Sequence, residues 1–464
     1  MGRPASLGAP LGRLCRRALP FVLVTSALVL VRVSSAAAHA DYPRSLQLLF
    51  DSSDPNRILV RTSFGLVLTS DGGESWQWFC YEALDFSHDD LIRPVAGILG
   101  DGDLFLAGAT GLWTGTPNGC DWEKPEETLS DIYVPSAVVD STEGSRAYVV
   151  TSSAKGPNHV ARTSDSGKTW SQAGESFGQA LLEEIAVAPS DSNRVYVVSR
   201  TFDLEGTDPP TVTFHRSEDG GDTWEGESLG FTQVDRTLSI LGVHPKDPDL
   251  VIVAERDSIT HVIKKAQRTE DGGKTWTNLP ALVDIQTEAA TYSQDGESFW
   301  VGGISDSGLH LSTDDGDSFK VVHPTIEVAC LHHDGKELWI CTDVFTDGYV
   351  IGRSSDGGKT VEPVMTFQDI DGLISCGADS VVERACGTML VPINLGGGGD
   401  ASLPGIEPLD AGTGPMEPKP ASSLCAVTRA PGGRGGHSYV GLGVLLVVSL
   451  LWRGRYLSTI SRSQ

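Results

Sequence analysis

One eight-residue pattern recurs along this chain, and it limits the fold more than any other feature of the sequence. TSDGGESW begins at Thr69, TSDSGKTW at Thr163, SEDGGDTW at Ser217, TEDGGKTW at Thr269, STDDGDSF at Ser312 and SSDGGKTV at Ser354. The shared form is Ser or Thr, then Asp and Gly at alternate positions, then Thr or Ser followed by a large apolar residue. A degenerate copy fills the gap between the first two. Aligning Gly111-Leu112-Trp113 with Gly65-Leu66-Val67 sets Gly119 on Gly73, Trp122 on Trp76 and Pro117 where the Asp belongs. Successive Asp positions then stand 42 to 54 residues apart, the length of one four-stranded propeller blade.

Each copy has the same lead-in of apolar strand, polar turn and second strand, as in Leu46 to Phe50, SSDPNR and Ile58 to Arg61. Asp-Pro and Asn/Asp-rich turns between β-rich runs are hairpin signals. With one strand before and one after the box, each unit holds four strands. The expected fold is all-β: a seven-bladed β-propeller with blades near 44–80, 92–125, 135–173, 183–229, 237–280, 287–322 and 325–367. In the hairpin between the third and fourth strands the Asp accepts N–H groups that a tight loop leaves unpaired. Gly supplies positive φ there, and the Trp packs on the neighbouring unit. The structural Asp residues are therefore Asp71, Asp165, Asp219, Asp271, Asp314 and Asp356. Asp314, Asp315 and Asp317 lack the EF-hand spacing and closing Glu, which favours a turn over a calcium loop. Arg162, Arg216, Arg268 and Arg353 each stand just before a box, a recurrence that points to a repeated structural contact.

The two ends differ from the body. Arg3, Arg13, Arg16 and Arg17 precede an apolar run from Ala18 to Val31, and Ala38-His39-Ala40 fits a signal-peptidase site, so residues 1–40 read as a signal peptide cleaved after Ala40. At the other end a Gly/Pro-rich linker (395–424) leads to Cys425, an apolar run from Tyr439 to Trp452, and Arg453 and Arg455. Fourteen apolar residues span about two thirds of a ~30 Å hydrocarbon core, so a sorting or anchor segment (425–464) fits better than a permanent transmembrane helix. The arrangement resembles the C-terminal sorting tails of myxobacterial surface proteins, which implies an exported protein held at the cell envelope or surface. Each end carries five Arg and no acid; the net charge of −26 therefore leaves −36 on the body. A field of that sign repels phosphate backbones and excludes nucleic acid as the natural partner.

The repeat resembles the Asp box, or bacterial neuraminidase repeat, of sialidases, xyloglucanase-type glycosidases, sortilin-like receptors and photosystem assembly propellers. The resemblance covers about residues 44–367 and implies that the boxes are structural and lie away from a ligand site. The F/Y-R-I-P motif that marks a sialidase's first arginine is missing, and Arg57 in Pro55-Asn56-Arg57-Ile58 lies on the wrong face.

Six cysteines remain between the signal and the tail, and an exported chain makes pairing the default. Fifteen pairings are possible. Position favours Cys80 with Cys120, Cys330 with Cys341 and Cys376 with Cys386, the last two closing short local loops. Neither zinc spacing nor any other metal or cofactor motif is present. Residues 368–394 lack a box and read as an edge strand or a disulfide-closed cap.

A ligand would meet the face opposite the boxes, made by the loops joining second to third strands and blade to blade. Candidates there are Tyr81, Asp203, Glu205, Glu255 and Asp343, aromatic and acidic groups able to stack on and hydrogen-bond a sugar. No spacing forces two carboxylates together, and no Ser-His-Asp or Cys-His pattern stands out. No catalytic residue is assigned. The expected function is a monomeric, envelope-anchored binding or scaffold propeller for a glycan or protein; the alternative is a sialidase-like or xyloglucanase-like hydrolase, which rests on fold analogy.

Overall fold

The computed structural model describes residues 43–87, 93–125, 129–202, 209–231 and 235–387. The signal-peptide, linker and tail readings, with Cys425, lie outside the described residues, as do Asp203 and Glu205. Alternating apolar runs broken by Gly- and Asp-rich turns form seven antiparallel sheets, at 45–80, 95–123, 136–173, 181–228, 236–278, 289–323 and 330–365. In each the four strands follow sequence order. The first strands of neighbouring blades pack on one another at all seven seams, including blade 7 on blade 1, so they form the innermost ring. The result is a seven-bladed β-propeller. Its apolar core lies between blades, in clusters such as Tyr196, Phe214, Leu238 and Val253 at the seam of blades 4 and 5.

The boxes close the hairpins between third and fourth strands. In blade 5 the Asp271 carboxylate accepts from Thr275 N (2.8 Å), the Thr275 hydroxyl (2.6 Å) and the Thr269 hydroxyl (2.8 Å). Thr269 Oγ1 in turn accepts from Gly273 N. Gly272 and Gly273 stand at φ of 70° and 100°, where a side chain would be strained. The Trp276 indole donates to Gly273 O (3.0 Å) and packs edge-on against Phe214 of blade 4. Asp71, Asp165, Asp219, Asp314 and Asp356 bind their own turns in the same way. In the degenerate box Asn118 takes over, accepting from the Thr116 hydroxyl and Cys120 N.

The arginines before the boxes reach forward across the seams. Arg162 donates to Gly220 O (2.7 Å), Arg216 to Gly272 O (3.2 Å) and Arg268 to Asp315 O (2.9 Å). Each acceptor is the residue after the box Asp of the next blade. Arg353, at the seam from blade 7 to blade 1, instead meets Glu337 of its own blade at 3.6 Å.

The disulfides correct two of the expected pairings. Cys330 and Cys341 are joined across directly paired first and second strands of blade 7. Cys80, however, bonds Cys386, and Cys120 bonds Cys376, not Cys80 to Cys120 and Cys376 to Cys386. Short loops argued for local bridges, but ring closure brings the last residues back to the first blades. After blade 7, Ile370–Leu373 adds a fifth strand, parallel to Trp76–Cys80 at the outer edge of blade 1. A short helix, Val381–Cys386, then packs on the turn Tyr81–Leu84.

Candidate ligand-binding face

The loops opposite the boxes place the expected site residues very differently. Tyr81 is fully buried at the start of the turn that follows blade 1, and its hydroxyl donates to Thr62 O at 2.7 Å. Burial, opposed by Arg61, raises its pKa, and it is closed to any ligand. Asp343 caps the one-turn helix Val344–Asp347, accepting from Phe345 N (2.8 Å) and Thr346 N (3.2 Å). Its carboxylate is occupied in holding that loop. Glu255, at the loop end of the second strand of blade 5, is nine-tenths buried. Burial raises its pKa while Arg236, Lys265 and Arg200 pull it down.

Those three cations mark where charge converges. Arg200 closes the second strand of blade 4; its Nε meets Glu183 Oε1 at 2.6 Å and its Nη2 donates to Arg236 O at 2.9 Å. Arg236 pairs with Asp257 at 3.1 Å across the first two strands of blade 5. Lys265 stands opposite Glu255 on the third strand, with Nζ 4.4 Å from the centre of the Phe231 ring. This seam thus brings Arg200, Arg236 and Lys265 together with Glu183, Asp235, Glu255 and Asp257. On the other side of blade 5, Arg256 donates to Ser239 Oγ (2.6 Å) and Thr287 O (2.8 Å). Beside it His261 and Glu288 lie 2.8 Å apart.

Glu184, next to Glu183 on the innermost strand of blade 4, accepts from Ile240 N on the innermost strand of blade 5 at 2.9 Å. Burial pushes its pKa up to about 7, against the pull of that hydrogen bond and of Arg256. A strand irregularity between Leu182 and Glu184 sets these neighbouring carboxylates in their two environments. Sequence reasoning missed Glu183, Glu184, Arg200, Arg236, Asp257 and Lys265. One signal was available: LLEEIAVA holds the acidic residues of the seven first strands, the other six having none. Among the described residues no group of three or more His, Cys, Asp or Glu is placed to hold a metal ion. No described helix is long and apolar enough to cross a membrane.

The family model for sortilin, neurotensin receptor 3, matches residues 158–299, which are blades 4 and 5 with parts of blades 3 and 6. No curated protein matches the chain. Among solved structures an ancestral GH74 enzyme superposes with a TM-score of 0.51 at 13% identity, covering 68% of this chain and 46% of its own. The GH74 xyloglucanase from Xanthomonas campestris gives 0.48 at 13% identity, over 70% of this chain and 55% of its own. YCF48 bound to D1 peptide gives 0.40 at 16% identity, over 59% and 81%. This chain therefore spans about half the length of the GH74 proteins, and the likeness is one of fold. Seven four-stranded blades, with boxes of one geometry at corresponding hairpins, make the chain an Asp-box (BNR-repeat) β-propeller.

Proposed function

We propose that this propeller is an exported binding or scaffold module, held at the cell envelope by its C-terminal segment, that takes a glycan or protein partner at the loop end of the seam between blades 4 and 5. The observation that carries this reading is the meeting of Arg200, Arg236 and Lys265 around Glu255 at one loop-bearing edge. Oriented charges at a seam steer a charged partner and fix its register. Three disulfides suit an oxidising compartment and support export. Hydrolysis is the second reading, favoured by Glu184, a carboxyl raised to about 7 next to a carboxylate paired with Arg200. Binding is preferred because Glu183 is held in an ion pair and Glu184 in a hydrogen bond between strands.

The test is capture of glycans on an array, and of envelope proteins, by the full oxidised chain and by Lys265→Gln and Arg236→Gln variants. At least tenfold weaker capture by both variants is expected, with a thermal midpoint close to wild type for Lys265→Gln, which sets no like charge opposite Glu255. Capture that ignores both substitutions would remove this seam from consideration. Turnover of sialosides or β-glucans that disappears in Glu184→Gln would replace binding by hydrolysis.

A further inference from the structure

The box face holds a second feature, independent of the loop face. At each blade the second and third strands present one directly paired position to the next blade: Tyr148 with Arg162, Tyr196 with Arg216, Ile252 with Arg268 and Trp300 with Leu311. From that position a side chain donates to the carbonyl that follows the next box Asp. Tyr148 and Arg162 reach Gly220 O, Arg216 reaches Gly272 O, Arg268 reaches Asp315 O and Trp300 Nε1 reaches Gly357 O at 3.0 Å. The guanidinium of Arg216 also meets Glu225, the second residue of the box's outer-strand entry, at 2.5 Å.

In blade 2 the paired position is Phe105 with Thr114. Phe has no donor, and Thr114 meets Gly167 across the seam through its methyl group. The equivalent acceptor is Ser166 O, and among the described residues no donor from blade 2 meets it. Glu123 stands where Glu225 does and, among the described residues, has no ion-pair partner. The space that an arginine fills elsewhere is open here: a cleft of about 260 Å³ lined by Asp103, Thr114, Asp121, Trp122, Glu123 and Ser166. The corresponding gap beside Arg216 measures about 30 Å³. Lys168 at the rim lies 3.6 Å from Asp101. The seam from blade 1 to blade 2 is closed by Arg57, which donates to Gly102 O and Pro117 O, and that from blade 7 to blade 1 holds the bulky Trp339 and Arg353.

We propose that the cleft between blades 2 and 3 is a receptor for a guanidinium group supplied from outside the propeller, an arginine side chain on a basic peptide segment. The incoming group takes the place that Arg162, Arg216 and Arg268 occupy in their own seams, donating to Ser166 O and pairing with Glu123 beside Thr114. Such charge-assisted, planar recognition is specific to arginine over an uncharged isostere. The arginine has two sources, a partner protein or this chain's own C-terminal stretch, which carries Arg429 and Arg434.

The probe is a dye-labelled Gly-Arg-Gly peptide, with Gly-Gln-Gly and Gly-citrulline-Gly as controls, titrated by anisotropy into the full oxidised chain. Binding of the arginine peptide alone is expected. Thr114→Arg, which restores the repeat's own clamp, should abolish it at least tenfold and raise the thermal midpoint. Glu123→Gln should weaken it severalfold without altering the fold. Equal binding of all three peptides, or full binding by either variant, would overturn the proposal. A chain in which Arg429, Arg434, Arg453, Arg455 and Arg462 are all replaced by Gln separates the sources: tighter peptide binding identifies the chain's own arginine as competitor, and unchanged binding identifies a partner's.

Discussion

The box Asp residues are exposed or half-buried, yet each holds its hairpin by accepting both hydroxyl and backbone donors. For Asp356 the Thr360 N–H and hydroxyl bring the pKa down to about 2; for Asp271 burial acts upward, but the bonds from Thr275 and Thr269 outweigh it and also bring it to about 2. A depressed carboxylate contributes stability above its unfolded value near 3.8, and that contribution is lost as pH falls toward 2. Acid titration followed by circular dichroism should therefore show stability falling between about pH 4 and pH 2. Asp271→Ala should cost about 1 to 2 kcal/mol at neutral pH and blunt that fall, because its turn N–H groups lose their acceptor. A variant as stable as wild type would mean that water replaces the carboxylate without loss. These residues were legible in the sequence because a turn with positive φ demands Asp and Gly at fixed spacing. Tyr81 and Asp343 were misread because composition cannot separate a loop residue that greets solvent from one that caps a turn or fills the core.

Among the elements, the hairpin is the unit that both closes a blade and receives its neighbour. The recurrence of arginine before the box announced a repeated contact, but its direction depends on packing between blades that no single repeat contains. Arg216 is 7% exposed at its side chain and bonded to Gly272 O and Glu225, whereas Arg353 is 44% exposed and meets Glu337 at 3.6 Å. Arg216→Met should lower stability by about 2 kcal/mol, since it strips a buried carbonyl of its donor, and Arg353→Met by less than about 0.5 kcal/mol, as for other surface pairs. Urea unfolding of the two variants compares them directly. Equal losses would show that the seam is held by its apolar contacts and not by the arginine clamp. The loop-face seam was legible only in part for the same reason: the sequence offers Glu255 as a candidate by its face, but Arg200, Arg236 and Lys265 come near it only when blades 4 and 5 are stacked.

For the whole molecule the question is how a ring of seven sheets is kept shut. The four antiparallel strands of blade 1 (45–80) and those of blade 7 (330–365) are each continuous in sequence, so neither blade needs the other chain end to complete its four strands. The seam between them has first-strand packing and a bond from Ser45 Oγ to Val350 O at 2.8 Å, while Arg353 meets Glu337 of its own blade. Closure falls instead to the segment after blade 7. Its strand extends blade 1, Ile374 N donates to Trp78 O at 3.0 Å, and the bonds Cys120–Cys376 and Cys80–Cys386 fasten it to blades 2 and 1. The sequence showed six cysteines and an unassigned segment, but pairing by short loops assumed an open chain, whereas a ring makes residues 306 positions apart into neighbours. Because Cys120–Cys376 already ties the same ends, Cys80–Cys386 closes a further loop of 306 − 256 = 50 residues, which restricts the unfolded chain by about 4 kcal/mol, against about 3 kcal/mol for the 11-residue loop of Cys330–Cys341. Cys80→Ala/Cys386→Ala should therefore lose about 1 kcal/mol more than Cys330→Ala/Cys341→Ala in guanidinium unfolding of the oxidised proteins. Proteolysis should then begin at 366–387 in the first variant and not in the second. Equal losses, with no new cleavage after blade 7, would mean that packing of blade 7 on blade 1 closes the ring unaided and that the clasp only decorates its edge.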